Sequence, residues 1–204
     1  MFTPKIGLIV CSTRKPRACP QIAQFVVDAV QSTATQQSNA TPIPQLIDLA
    51  EWNLPMYDES DIPSQITDSS QYDHQHTREW SQEIKQYDAF IFVVPQYNWS
   101  YPAVIKNAID YLYHEWNGKP AFVVSYGGHG GGKCNRHLRE VLQGVRMKTI
   151  SNNVELAFPG RDILVKAARG KDIGLQDDAD IWKEERGQIL NAFEELLKEI
   201  PHVA

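Results

Sequence analysis

The chain has 204 residues, 42% of them hydrophobic and 22% charged, with a net charge of -5. That is the make-up of a globular protein with one large domain or two small ones. The mild acidity argues against general nucleic-acid binding, and no apolar run approaches the ~20 residues needed to cross a membrane. Three cysteines, Cys11, Cys19 and Cys134, form neither an even framework nor a CxxC pair. Reduced thiols and a cytoplasmic setting are the expectation, and the run after Lys5 is too short for a signal-peptide core.

Lys5–Cys11 is apolar nearly throughout and reads as a first strand. Ser12–Cys19 follows as a loop with two hydroxyls and three cations, Arg14, Lys15 and Arg17. Pro20–Val30 is a helix, with Ile22, Phe25, Val26, Ala29 and Val30 at helical spacing. A hydroxyl- and cation-bearing loop opening onto a helix N-terminus suits a phosphate, and a solvated basic turn is the competing reading. Gln31–Pro42 is polar and reads as a surface loop. Ile43–Leu49 is a second strand.

Ala50–Gln75 is a long irregular stretch, of the kind used for lids or partner contacts. Asp73 and His74 at its end, with His76 just beyond, could suggest a metal, but their spacing matches no metal site and a solvated loop accounts for them better. His76–Tyr87 is a helix with Trp80, Ile84 and Tyr87 on its apolar face.

Ala89–Val94 is an unbroken apolar run, the central strand of a parallel sheet covered on both faces. Pro95 should end it. Gln96–Ser100 then forms a loop at the carboxyl end of that strand, where ligands of open α/β sheets sit. The helix expected over Pro102–Trp116 carries apolar residues on two stripes, one for the sheet and one available to a second subunit; shielding of its own core is the alternative.

Lys119–Tyr126 is a fourth strand, and the glycine-rich loop after it lets a ligand approach the backbone closely. Asn135–Val145 is a helix, Val154–Phe158 a fifth strand, Pro159–Gln176 irregular, Asp178–Ile200 a long charged helix, and Pro201–Ala204 a frayed tail. Alternating strands and helices without a composition break predict one doubly wound parallel sheet over residues 1–204.

Gly127 to Lys133 approximates a P-loop, but Cys134 stands where the Mg²⁺-binding hydroxyl belongs and the motif follows the fourth strand, so an NTPase is a weak alternative. A Cys134 pair with His129 or His137 is conceivable as a nucleophile, but nothing in the sequence orients the base. Taken together, the three loops at one sheet edge offer a phosphate site, an aromatic and amide group, and a glycine backbone. FMN has the matching parts.

The chain resembles the NADPH-dependent FMN reductase family, with its related quinone and azo-dye reductases. The match is carried by Cys11-Ser12-Thr13-Arg14, by Pro95-Gln96-Tyr97-Asn98-Trp99-Ser100-Tyr101-Pro102 with Lys106-Asn107-Ala108-Ile109-Asp110, and by Ser125-Tyr126-Gly127-Gly128. Cys11 replaces the family's glycine. The resemblance implies a flavodoxin-like five-stranded sheet of order 2-1-3-4-5, non-covalent FMN, NADPH or NADH as co-substrate, and a homodimer or tetramer, here through the 102–116 helix. It implies that Ser12 and Arg14 hold the FMN phosphate, with Arg17 and Cys19 nearby. Pro95, Gln96, Tyr97 and Asn98 would meet the ring edge and ribityl chain, partly through backbone N–H groups. Ser125, Gly127, Gly128 and His129 would line the ring's other side, and Trp99 the pocket mouth or the subunit contact. The implied chemistry is hydride transfer through the flavin to a quinone, free flavin or azo compound, with no catalytic side chain; a non-catalytic flavin or quinone sensor is the alternative.

Overall fold

The computed structural model describes residues 3–37, 41–176 and 180–201. Parts of three expectations lie outside them: residues 38–40 of the polar loop, residues 178–179 at the start of the last helix, and residues 202–204 of the tail.

Strand β1 (Ile6–Val10) leads into helix α1 (Cys19–Gln37), then β2 (Gln45–Asp48) and the single turn α2 (Leu49–Trp52). After a long strap come α3 (Gln75–Lys85), β3 (Ala89–Pro95), α4 (Ala103–Asp110), β4 (Pro120–Gly127) and α5 (Gly132–Gly144). The chain closes with β5 (Lys148–Thr149), β6 (Val154–Ala157), α6 (Arg161–Ala168) and α7 (Lys183–Lys198). The pairs are parallel, in the order β2-β1-β3-β4-β5, and β6 also pairs with β4. The expected order holds, but the fifth position is two short strands rather than one.

Strand alternation sorts the core into two layers. Leu8, Val10, Ile91, Val93, Phe122 and Val124 face α1 and α7. Ile9, Phe90, Phe92, Val94 and Val123 face α3, α4 and α5. β3 is wholly buried because helices cover both its faces.

Several boundaries differ from expectation. Helix α1 runs on to Gln37 because neither glycine nor proline breaks the polar tract before Pro42. The expected helix over Pro102–Trp116 stops at Asp110. The Trp80 indole donates to Ala108 O (2.8 Å) and the Trp116 indole to Ile109 O (3.3 Å), so side chains take up carbonyls that a further turn would use. Of the expected second stripe, Ala108, Tyr111 and Glu115 are buried within this chain, and Val104 is half-buried. The stretch Pro159–Gln176 contains α6, capped by Gly170 at φ 61° with Lys171 N donating to Lys166 O at 3.0 Å.

The strap between α2 and α3 is fastened to α4. Asn107 donates to Pro55 O (2.6 Å) and accepts from Tyr57 N (2.9 Å), while the Tyr111 hydroxyl reaches Asp58 (2.8 Å). His74 and His76 stack at 5.1 Å, and both lie beside Asp58.

The break between β5 and β6 is tied down by Glu195 on α7, which accepts from Ser151 N (2.7 Å), Ser151 Oγ (2.7 Å) and Asn152 Nδ2 (2.5 Å). The Ser151 amide, foremost among these donors, holds the carboxyl below its usual 4.5. A depressed carboxylate contributes stability above its unfolded pKa and loses it as pH falls through the folded one. Glu195→Ala should therefore lower stability near neutral pH by a screened amount, below about 1 kcal/mol, and the gap from the parent should close in denaturant titrations as the pH falls below the usual carboxylate range.

Candidate functional site

The carboxyl ends of β1, β3 and β4 lie side by side, and backbone pairing carries past each strand end. Cys11 N donates to Val93 O at 3.0 Å, and Gln96 N to Tyr126 O at 3.0 Å. The loops that follow meet around a cavity of ≈ 160 Å³. The first loop contributes Arg14 and Ala18, the third Pro95, Gln96 and Tyr97, and the fourth Tyr126, Gly127 and Gly128. Phe158 and the α6 residues Leu164, Ala167 and Ala168 close the remaining side.

In the first loop, Ser12 is fully buried. Its neighbours are the Tyr126 hydroxyl and the Cys19 thiol, yet its Oγ finds no hydrogen bond of normal geometry among the described residues. A buried orphan hydroxyl costs free energy unless a ligand or water completes it. Arg14 is exposed and donates to Ala168 O at 2.7 Å, joining the loop to the end of α6. Arg17 turns away from the cavity. It forks onto Asp48 at 2.8 and 2.6 Å and donates to Ser12 O at 2.5 Å, bracing the loop against β2. The Asp48 bond pushes the guanidinium pKa further up.

The third loop is a two-residue turn closed by Tyr97 N to Ser100 O (2.8 Å) and Ser100 N to Tyr97 O (3.0 Å). Asn98 and Trp99 both take positive φ, 44° and 69°, the pattern of a type I′ turn. Asn tolerates that region, whereas Trp there costs on the order of 1–3 kcal/mol. The Gln96 side chain accepts from Cys134 N at 3.2 Å and so ties this loop to the start of α5.

In the fourth loop, Gly131 sits at φ 81°, and a Cβ there would lie 3.1 Å from Tyr126 O and from Ser125 Cβ. Gly128 is open: a Cβ would meet nothing within 4 Å. Ser125 is fully buried and donates to Gly130 O at 2.9 Å, shaping the loop from beneath.

Of the thirteen residues the sequence singles out, Arg14, Pro95, Gln96, Tyr97, Gly127 and Gly128 line one cavity. Ser12 is not among the lining residues but is buried beside Tyr126, which is, and Asn98, Trp99 and His129 are exposed on the loops outside. Arg17, Cys19 and Ser125 do not line the cavity, and their hydrogen bonds run to other parts of the chain. The Cys19 thiol is buried, donates to Val93 O at 3.3 Å, and is pushed up to about 11 by burial. Burial also raises Cys134 to about 12 and pushes Cys11 well above the usual thiol value. His137 meets Ser100 Oγ at 3.1 Å rather than Cys134, so no thiolate–imidazole pair forms there. Sequence reasoning missed Tyr126, Phe158 and the α6 residues. A helix-forming run ended by Gly170 was the available signal for α6.

The profile of the NADPH-dependent FMN reductases matches residues 4–159. A Saccharomyces cerevisiae protein named NAD(P)H-dependent FMN reductase LOT6 is 49% identical over 148 residues, covering 72% of this chain and 77% of its own length. A Schizosaccharomyces pombe protein of the same description is 40% identical over 194 residues, covering 95% and 89%. Among solved structures, the Paracoccus denitrificans flavoenzyme FerB superposes with a TM-score of 0.68 at 21% identity, covering 96% of this chain and 98% of its own. That likeness shows the shared fold.

Proposed function

This chain belongs to the NADPH-dependent FMN reductase family, and on that premise we propose that it is an FMN-dependent NAD(P)H oxidoreductase whose first, third and fourth loops grip the cofactor. The acceptors in this reading are quinones, free flavin or azo compounds. The observation that carries the site assignment is the convergence of Arg14, Tyr97 and Gly128 on one cavity, with the orphaned Ser12 hydroxyl beside Tyr126 of its lining. This donor set fits FMN: a hydroxyl and a guanidinium for the phosphate, an open glycine for close approach of the ring, and a small, partly apolar chamber between.

Bound FMN supplies a site that accepts hydride from the nicotinamide and passes it on. The protein's part is binding and orientation. Arg14 exchanges its Ala168 carbonyl for the phosphate, and Ser12 completes the anion site. The amides of Gln96 and Tyr97 already bond Tyr126 O and Ser100 O, so the donor role toward the ring edge falls to the amide of Gly128, which lines the cavity. Such donors favour negative charge where it develops. No side chain is assigned a proton, in keeping with buried, protonated thiols around the site. Phe158, Leu164 and Ala167 exclude water from the phosphate side.

A homodimer is the assembly this reading favours. Exposed Met56, Tyr57 and Ile62 on the strap beside α4 supply an apolar surface for it. Among the described residues, no helix is long and apolar enough to cross a membrane.

The test is an absorption spectrum of the purified protein after incubation with FMN. We expect flavin bands that stay with the protein through desalting and bleach on NADPH addition without oxygen, then recover with a quinone. A protein that retains no FMN, or whose bands do not respond to either nucleotide, ends this reading.

A further inference from the structure

Two residues beside the cavity stand against their own local preferences, and they touch each other. Trp99 holds φ 69° at the turn of the third loop, where glycine or asparagine is the unstrained choice. Its ring is 66% exposed, so core burial does not offset the strain. Lys133 lies in the first turn of α5, which carries no acidic residue, where the partial positive charge of the helix end disfavours an ammonium. Its Nζ sits over the Trp99 ring, 4.7 Å from the centroid.

Arg136, three residues on and on the same face of the helix, is also exposed. His137 meets Ser100 Oγ at 3.1 Å, pinning the turn to α5. A flat exposed ring, one cation against it and a second cation one helical turn away therefore form a rigid corner. That corner belongs to the loop whose Gln96 and Tyr97 line the cavity. On a chain of net charge -5, a polyanionic substrate needs such a local cationic landing point.

We propose that Trp99 and Lys133 dock the adenosine half of the pyridine dinucleotide. Trp99 stacks on the purine, and Lys133, with Arg136 behind it, pairs with the 2′-phosphate that distinguishes NADPH from NADH. The proposal rests on the flavin-site reading above and deepens it by naming the residues that choose the hydride donor.

The experiment measures KM and kcat for NADPH and for NADH, with a quinone at saturation, in the parent, Trp99→Gly and Lys133→Gln. Glycine suits φ 69°, so Trp99→Gly keeps the turn, and its melting temperature should equal or exceed the parent's. The parent should show the lower KM for NADPH. Trp99→Gly should raise KM for both nucleotides about tenfold, the scale of losing one base–aromatic stack, with kcat held within about twofold. Lys133→Gln should raise KM for NADPH about tenfold and leave that for NADH within about twofold, the signature of one lost phosphate contact. A parent without preference, a Trp99→Gly enzyme with unchanged KM values, or a Lys133→Gln enzyme that treats both nucleotides alike overturns the proposal; the pair is then a surface contact only. FMN retention, read by absorbance in all three proteins, separates this from failure of the flavin site, which would remove both readings.

Discussion

Arg14→Ala should weaken FMN binding by about 100-fold while leaving the unfolding free energy nearly unchanged. A guanidinium–phosphate contact is a charge-assisted bond worth about 1.5–3 kcal/mol, or roughly 10- to 150-fold in affinity. The stability side is small because Arg14 is exposed and its bond is to the Ala168 carbonyl, at the end of a helix that solvent also reaches. Flavin fluorescence quenching gives the affinity, and a urea titration of the FMN-free protein gives the stability. Arg17→Ala should do the reverse: it leaves Asp48 without its partner and unbraces the first loop, so it should show first in the urea midpoint. An Arg14→Ala protein that binds FMN within threefold of the parent would move the phosphate elsewhere.

Gly131→Ala should lower stability by about 2–5 kcal/mol and abolish FMN retention on desalting. Two costs act together. The φ of 81° is one that an L-residue adopts at about 1–2 kcal/mol, and a methyl group would press on Tyr126 O, Tyr126 N and Ser125 Cβ at 3.1–3.2 Å. Those atoms belong to β4 and cannot give way without moving the strand, so overpacking adds roughly 1–3 kcal/mol. The same atoms shape the Gly127–Gly128 wall of the cavity. Gly128→Ala is the control: its Cβ meets nothing within 4 Å, so the fold should be unaffected and any lost FMN affinity reports a clash with ligand. Thermal melts and flavin titrations of the two variants separate these effects, and equal behaviour of the two glycines would refute the argument.

The layered α/β fold was legible because it rests on local signals. The unbroken apolar run Ala89–Val94 requires cover on both sides, and β3 is buried at every residue. Pro95 is the last residue of that strand, as expected, although one further bond, from Gln96 N to Tyr126 O, follows it. The three loops fall on one edge because parallel strands share a direction, which places Arg14, Gln96 and Gly128 around one cavity. Helix α6 was less legible: it is only two turns long and most of its apolar residues are not fully buried, and it gains its place by covering the cavity with Leu164 and Ala167.

What the amino-acid order determined on its own is therefore the periodic part: strand and helix identity, sheet edge, and the loops that face a ligand. Tertiary contact alone decided which of the cations flanking the first loop is engaged elsewhere. Arg17 is held by Asp48, 31 residues away, while Arg14 stays at the cavity beside Ala168, 154 residues away. It also decided that α4 ends at Asp110, where indoles from Trp80 and Trp116 take its carbonyls. The physical reason is reach: periodicity acts over one or two helical turns, whereas a hydrogen-bond partner is chosen by whatever donor the folded chain brings within about 3 Å.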